Sequence, residues 1–330
     1  MIRCLTLLLS AVVLAGCGTT TVPPSSSSSA VAPAASTSGT ALRPSSPSSP
    51  TASPKTPRPS PSRSGAPTKT PLPPIPAGAV PILYYHRVQS APPGFATWSH
   101  ARQRDFLAYD VLPAAFAAQL DWIAANGYTT ILPRDLAAHW DTGAPLPRKP
   151  VILTFDDGFS SWASTVLPML RLRHMVAEFY LTLDAIATRA IGWPEVVRLA
   201  KAGNGIGAHD VHHFQLAMLP GGVAASASTM WHEIHDVRAI IAAHVGRAPD
   251  SMAYVGGGFD ATLVGLVQKA GYTTARSIIR GIVQSRADRF SLRVVRVGAD
   301  DDVLDPVSET LAAGLPTFTA RMHGVSDIRR

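Results

Sequence analysis

From residue 80 onward, short apolar runs of strand-like composition alternate with amphipathic stretches of helical period. This alternation restricts the chain to parallel β/α units, because parallel strands need a crossover of about a dozen residues between them. The runs are VPILYYH (80–86), YTTIL (128–132), VILTF (151–155), AEFYLTL (177–183), IGAH (206–209), MAYV (252–255), YTTAR (272–276), RVVRV (293–297) and a last strand TFTARMH (317–323). Helices are predicted over 114–126, closed by Gly127, and over 134–139, 164–172, 194–202, 229–244, 261–270 and 306–313. At this length the expected architecture is α/β, a barrel or distorted (β/α) barrel. In such a barrel the chemistry sits where strands end.

The chain before this body has a different character. Residues 1–17 carry one Arg, the apolar run LTLLLSAVVLAG and a small-residue context ending at Cys17. The apolar run is shorter than the roughly 20 residues needed to cross a bilayer, so it reads as a secretory signal. Leu14-Ala15-Gly16-Cys17 resembles the lipobox of bacterial lipoproteins, which implies lipidation of Cys17 and attachment to a membrane facing the envelope or exterior. Gly18 after that cysteine favours the outer membrane in a Gram-negative host. Residues 18–76 are Ser, Pro, Thr and Ala with scattered Lys and Arg and no aromatic residue. Such a segment buries too little apolar surface to offset its ordering entropy, and a disordered tether is predicted.

The chain carries a net charge of +7, but six of its 29 Lys and Arg lie in residues 1–80, which hold no acidic residue. The remaining 23 face 22 acidic residues, so the body is near neutral and gives no nucleic-acid signal. Both cysteines, Cys4 and Cys17, precede the body, so any metal bound there must use His, Asp or Glu. Residues 77–330 form one large domain's worth, with no repeat and no second linker, and a monomer is expected.

Thr154-Phe155-Asp156-Asp157-Gly158 ends an apolar strand with two adjacent carboxylates and a turn-forming glycine. Carboxylates side by side repel, so a cation on one would leave the other free as a base. Downstream, His209 and His213 stand four apart in Gly207-Ala208-His209-Asp210-Val211-His212-His213. On a helical turn that spacing puts both imidazoles on one face. Joined with Asp157 they make a three-ligand site with an open position, the donor count of a catalytic Zn²⁺ centre. His212 points elsewhere in that geometry and is assigned no role.

TFDDG followed by HxxxH resembles the polysaccharide deacetylase family, also called the NodB-homology or carbohydrate esterase 4 group. The likeness continues through VPILYYHRV, AAFAAQLDWIAANGYTTI, GWPEVVRLAKAGNGIGAH and SMAYVGGGFDATLVGLVQKAGYTTA. It is greatest to exported deacetylases of poly-N-acetylglucosamine-type polymers. The resemblance implies a distorted barrel of the NodB type, an N-acetylated polysaccharide as substrate and one divalent metal ion, Zn²⁺. It makes Asp156 the general base and Asp157, His209 and His213 the metal ligands. The acid that protonates the departing amine is open between His323, at the end of the last predicted strand, and His86, at the end of the first, with both structural as a third reading. Asp210, where the family has Ser or Thr, is expected to orient a ligand imidazole. Where the family carries an Arg-containing or Tyr-Pro-Tyr-Gly motif this chain has Ala253-Tyr254-Val255-Gly256-Gly257-Gly258, so Tyr254 is the substrate-binding candidate and a more open or mobile groove wall is expected. Two other readings are a degenerate glycan-binding envelope lipoprotein and an O-acetyl ester hydrolase.

Overall fold

The computed structural model describes residues 73–217, 224–298 and 315–324. The signal, Cys17, nearly all of the tether and the helix expected over 306–313 lie outside them. Seven parallel strands close into a barrel with helices packed around it. The strands are β1 (Ile82–Tyr85), β5 (Pro150–Asp157), β6 (Glu178–Leu181), β7 (Gly205–Ala208), β8 (Ser251–Ala253), β9 (Thr274–Arg280) and β10 (Leu292–Arg296), in that order around the ring. Pairing of β1 with both β10 and β5 closes it. Short β4 (Thr129–Thr130) joins only the start of β5.

Strand alternation sorts β5 into two faces. Phe155 stacks between Tyr85 of β1 and Phe179 of β6, with ring centroids 5.1 Å apart on each side. All three are in register across neighbouring strands. Phe116, on α2 (Pro113–Ala125), meets Phe155 edge-on at 5.8 Å, which marks this as the outer, helix-covered face. Each such ring pair adds about 0.5–1.5 kcal/mol beyond the area it buries. With Phe155 turned outward, its neighbours Thr154 and Asp156 face the barrel interior, so the packing of the ring ladder also aims the carboxylate. Around the outside run α3 (Pro133–Thr142), α4 (Leu167–Leu172), α6 (Trp193–Lys201), α7 (Ala227–Val245) and α8 (Ala261–Lys269), close to their predicted positions. The short α5 (Leu183–Ala187) follows β6.

Two segments depart from the sequence reading. The expected strand TFTARMH belongs to a helix, Leu315–Met322. Phe318 and Met322, one helical turn apart, are both buried, and Phe318 packs edge-on against Trp122 of α2. Apolar residues at 318, 320 and 322 suit a strand as well as a helix, and a run this short does not separate the two periods. Between β1 and α2 the structure adds α1 (His100–Tyr109), set between the paired strands β2 (Arg87–Val88) and β3 (Asp110–Val111). Its sequence, HARQRDFLAY, has no apolar stripe. Buried Asp110 holds it to the barrel by accepting from Gln89 at 2.7 Å and pairing with Arg87 at 2.8 Å.

Candidate active site

Asp156 and Asp157 end β5 at the rim of the barrel. Asp156 is buried, and its Oδ2 takes a short, charged hydrogen bond from Nη2 of Arg276, which reaches in from β9. The Arg276 guanidinium is itself buried between the rings of Tyr84 and Tyr180, at 4.7 and 5.2 Å from their centroids. The other oxygen of Asp156, Oδ1, has no hydrogen-bond partner among the described residues. One oxygen is thus fixed and the other free. Arg276 escaped the sequence reading, although a charged residue inside the strand run Thr274-Ala275-Arg276-Ser277-Ile278-Ile279 is the signal that marks it.

Asp157 adopts φ +81°, a left-handed conformation that swings its carboxylate away from the strand direction. Gly158 follows at φ +117°, where a Cβ would come within 2.6 Å of the Ala185 side chain. Oδ1 of Asp157 lies 3.0 Å from Nε2 of His213 and 3.4 Å from Nε2 of His209. Neither approach has hydrogen-bond geometry, and the buried oxygen is left without a hydrogen-bond partner among the described residues. His209 is buried and its Nδ1 donates to the Ala253 carbonyl at 2.8 Å, an outer contact that turns Nε2 towards Asp157. The ligand atoms of Asp157, His209 and His213 all lie within 4.8 Å of one another. Two ring nitrogens around an orphaned carboxylate oxygen fit a cation better than they fit each other.

The electrostatics point the same way. Burial pushes Asp157 up, but the two imidazoles more than reverse this and hold it well below the usual carboxylate range. Burial pulls His209 down, while Asp157 and Asp156 lift it to about 9. The triad without a cation therefore holds a proton that a bound metal would displace.

The two histidines do not share a helical turn. Residues 211–214 form a bend, with Asp210 at φ +65°, and the bend is tied to the start of α5 by Thr182 Oγ1 donating to the Val211 carbonyl and by the His213 N–H on Asp184. His212 turns away and pairs with Glu233 of α7 at 2.7 Å. Asp210 does not orient an imidazole: it is buried, neither of its carboxylate oxygens has a hydrogen-bond partner among the described residues, and burial pushes its pKa well up. The Ala253 carbonyl takes the role expected of it.

His86 and His323 separate clearly. The His86 ring packs against Tyr84 and meets Tyr109 edge-on at 4.9 Å, and its Nε2 is 3.4 Å from the Tyr84 hydroxyl. Burial lowers its pKa to about 4 although the charges of Asp156 and Asp157 work against this, so His86 lies within electrostatic reach of both carboxylates. His323 follows the end of the C-terminal helix with Nδ1 2.8 Å from the Pro73 carbonyl, and no described contact joins it to the carboxylates. Tyr254, the substrate-binding candidate, is buried and stacked on Phe259, with its hydroxyl donating to the Phe290 carbonyl. Gly256–Gly258 is not a loosened wall. A Cβ at Gly257 would lie 2.2 Å from Ile278, and one at Gly258 2.0 Å from the Ala217 carbonyl oxygen, so the missing side chains admit close packing.

Residues 143–275, from the loop before β5 into β9, match the family model described as Polysaccharide deacetylase. YxkH of Bacillus subtilis (strain 168), a protein named with the polysaccharide deacetylases, is 22% identical over 224 residues, covering 66% of this chain and 71% of that protein. The poly-beta-1,6-N-acetyl-D-glucosamine N-deacetylase of Escherichia coli (strain K12) is 38% identical over 61 residues, 18% of this chain and 9% of that protein. Among solved structures, the Streptococcus pyogenes deacetylase PplD in complex with acetate superposes with a TM-score of 0.59 at 20% identity, covering 67% of this chain and 93% of that one. IcaB from Ammonifex degensii gives a TM-score of 0.56 at 20% identity, covering 67% and 92%. These structures share the barrel.

Proposed function

This chain carries a polysaccharide deacetylase domain, the domain of a hydrolase, and from that premise we propose that it removes N-acetyl groups from an N-acetylglucosamine-containing polysaccharide. The observation that carries the reading is the convergence of Asp157, His209 and His213 beside a buried Asp156 with one oxygen free. Asp157, His209 and His213 would hold a divalent cation, Zn²⁺ by their nitrogen-rich donor set, which supplies a Lewis acid for the amide carbonyl and lowers the pKa of water. Asp156, its Oδ2 fixed by Arg276, offers Oδ1 to take the proton of the attacking water. Asp156 then carries the water's proton, and His86, kept neutral by burial, would relay that proton to the departing amine nitrogen as the C–N bond breaks. Export and lipid attachment through Cys17, with the chain held by its Ser/Pro-rich tether, complete the proposal: such an enzyme would reach envelope glycan. Acetate release from N-acetylglucosamine oligomers, with and without Zn²⁺, tests it. Release that requires metal and vanishes in Asp156→Asn is expected, and a folded protein that retains Zn²⁺ but releases nothing would overturn it.

A further inference from the structure

Seven large apolar side chains are exposed among the described residues, and two of them are aromatic, Tyr109 and Phe214. Scattered exposed apolar residues are ordinary. These two are set apart because each adjoins a residue of the candidate site. Tyr109 meets the His86 ring edge-on, and Phe214 follows His213 directly and stacks on His212 at 6.0 Å. In the barrel order β1 flanks β5 on one side and β7 lies beyond β6 on the other, so the two rings stand to either side of Asp157.

Tyr109 is also held in place. It is the last residue of α1, and the next residue, Asp110, is buried and tied by Arg87 and Gln89. The Arg296 guanidinium lies 5.9 Å from the Tyr109 ring and donates to the Ala108 carbonyl. Tyr109 is nonetheless 48% exposed. A rigid aromatic face left open beside a proton-transfer group suits a ligand with apolar C–H faces, and little ordering cost remains to be met on binding.

We propose that Tyr109 is a stacking platform for a pyranose ring of the glycan next to the sugar being deacetylated, with Phe214 contacting the chain on the far side of Asp157. This rests on the deacetylase reading and deepens it. The test is direct binding in the inactive Asp156→Asn background, by calorimetry with an N-acetylglucosamine hexamer and with the monomer. Tyr109→Ala should weaken hexamer binding about tenfold, equal to 1.4 kcal/mol, and monomer binding less than twofold, while Tyr109→Phe stays within twofold for both. Phe214→Ala should weaken the hexamer by a smaller factor and provides a second variant should Tyr109→Ala not fold. Unchanged hexamer affinity in folded Tyr109→Ala overturns the platform, as does an equal loss in Tyr109→Phe. A parent that releases acetate from the hexamer but binds it no better than the monomer overturns this inference alone. Ring-dependent binding without acetate release supports it and removes the deacetylase reading instead.

Discussion

The two ends of the barrel both bury carboxylates, and they treat them in opposite ways. At the end where the strands finish, Asp156 is met by the guanidinium of Arg276 and Asp157 by two imidazoles, so charge is held in place. At the end where the strands begin, Glu178 lines a cavity of about 220 Å³ together with Arg134, Lys201, Asn204, Arg247 and Ser251. Its hydrogen bond comes from the neutral Ser251 hydroxyl at 2.7 Å, and burial pushes its carboxyl up to about 7. Gly205 leaves room for it, since a Cβ there would lie 1.6 Å from Glu178 Oε2. The partner, more than the burial, decides whether an interior carboxyl is an anion poised for chemistry or a polar plug. Barrels of this kind concentrate chemistry at one face and stability at the other.

That contrast breaks if changes at the strand-end rim fail to move the rate, or if changes at the opposite end do. Asp156→Asn should lower kcat by about 10³-fold, within the range that positioned acid–base groups supply. His86→Asn should cost about 10²-fold in kcat while metal content, read by atomic absorption, stays at the parent level. Arg276→Met leaves Asp156 buried without its counter-charge and should cost about 3–5 kcal/mol in chemical denaturation. Arg276→Lys should recover part of that loss, although it cannot restore the planar fork.

Glu178→Gln should leave kcat within twofold and change stability only. The folded state binds the Glu178 proton more tightly than the unfolded chain, because burial raises its pKa from 4.5 to about 7. Its contribution is therefore full below pH 4.5 and is lost as pH rises from there through 7, by on the order of 3 kcal/mol. The neutral variant lacks this slope, so its Tm should exceed the parent's at pH 8 and match it near pH 4.5. The smallest effect belongs to Tyr254→Phe, which removes one buried hydrogen bond to the Phe290 carbonyl, worth about 1 kcal/mol, and should leave activity intact.

How far the sequence was legible follows the same geometry. The barrel could be read because its strands carry their own apolar runs and most crossovers their own helical period, and the family model covers β5 to the start of β9. The pair Asp156-Asp157 and the residues His209 and His213 could be read as types, since few other local patterns need them. Their geometry could not: a four-residue spacing suggests a helical turn, whereas the chain bends there and is fixed by Thr182 and Asp184 from elements that precede it by about 30 residues. Arg276 lies 120 residues beyond Asp156, and no local pattern announces such a partner. The stretch 317–323 was ambiguous because its apolar residues satisfy both periods, and the barrel closes through β10 on β1 without it. Three consecutive glycines imply looseness in a sequence, yet in the fold they are where Gln215, Ile278 and Ala217 come close.

The central claim is that Asp156 works as a base beside a cation held by Asp157, His209 and His213. Its most direct test is acetate release from an N-acetylglucosamine oligomer by the purified protein, stripped with chelator and then reloaded with Zn²⁺, alongside Asp156→Asn reloaded in the same way. No release is expected when stripped, with recovery on reloading, and the variant should bind Zn²⁺ as the parent does but release acetate at least about 10³-fold more slowly. Release that survives chelation, or an Asp156→Asn protein as fast as the parent, would contradict it.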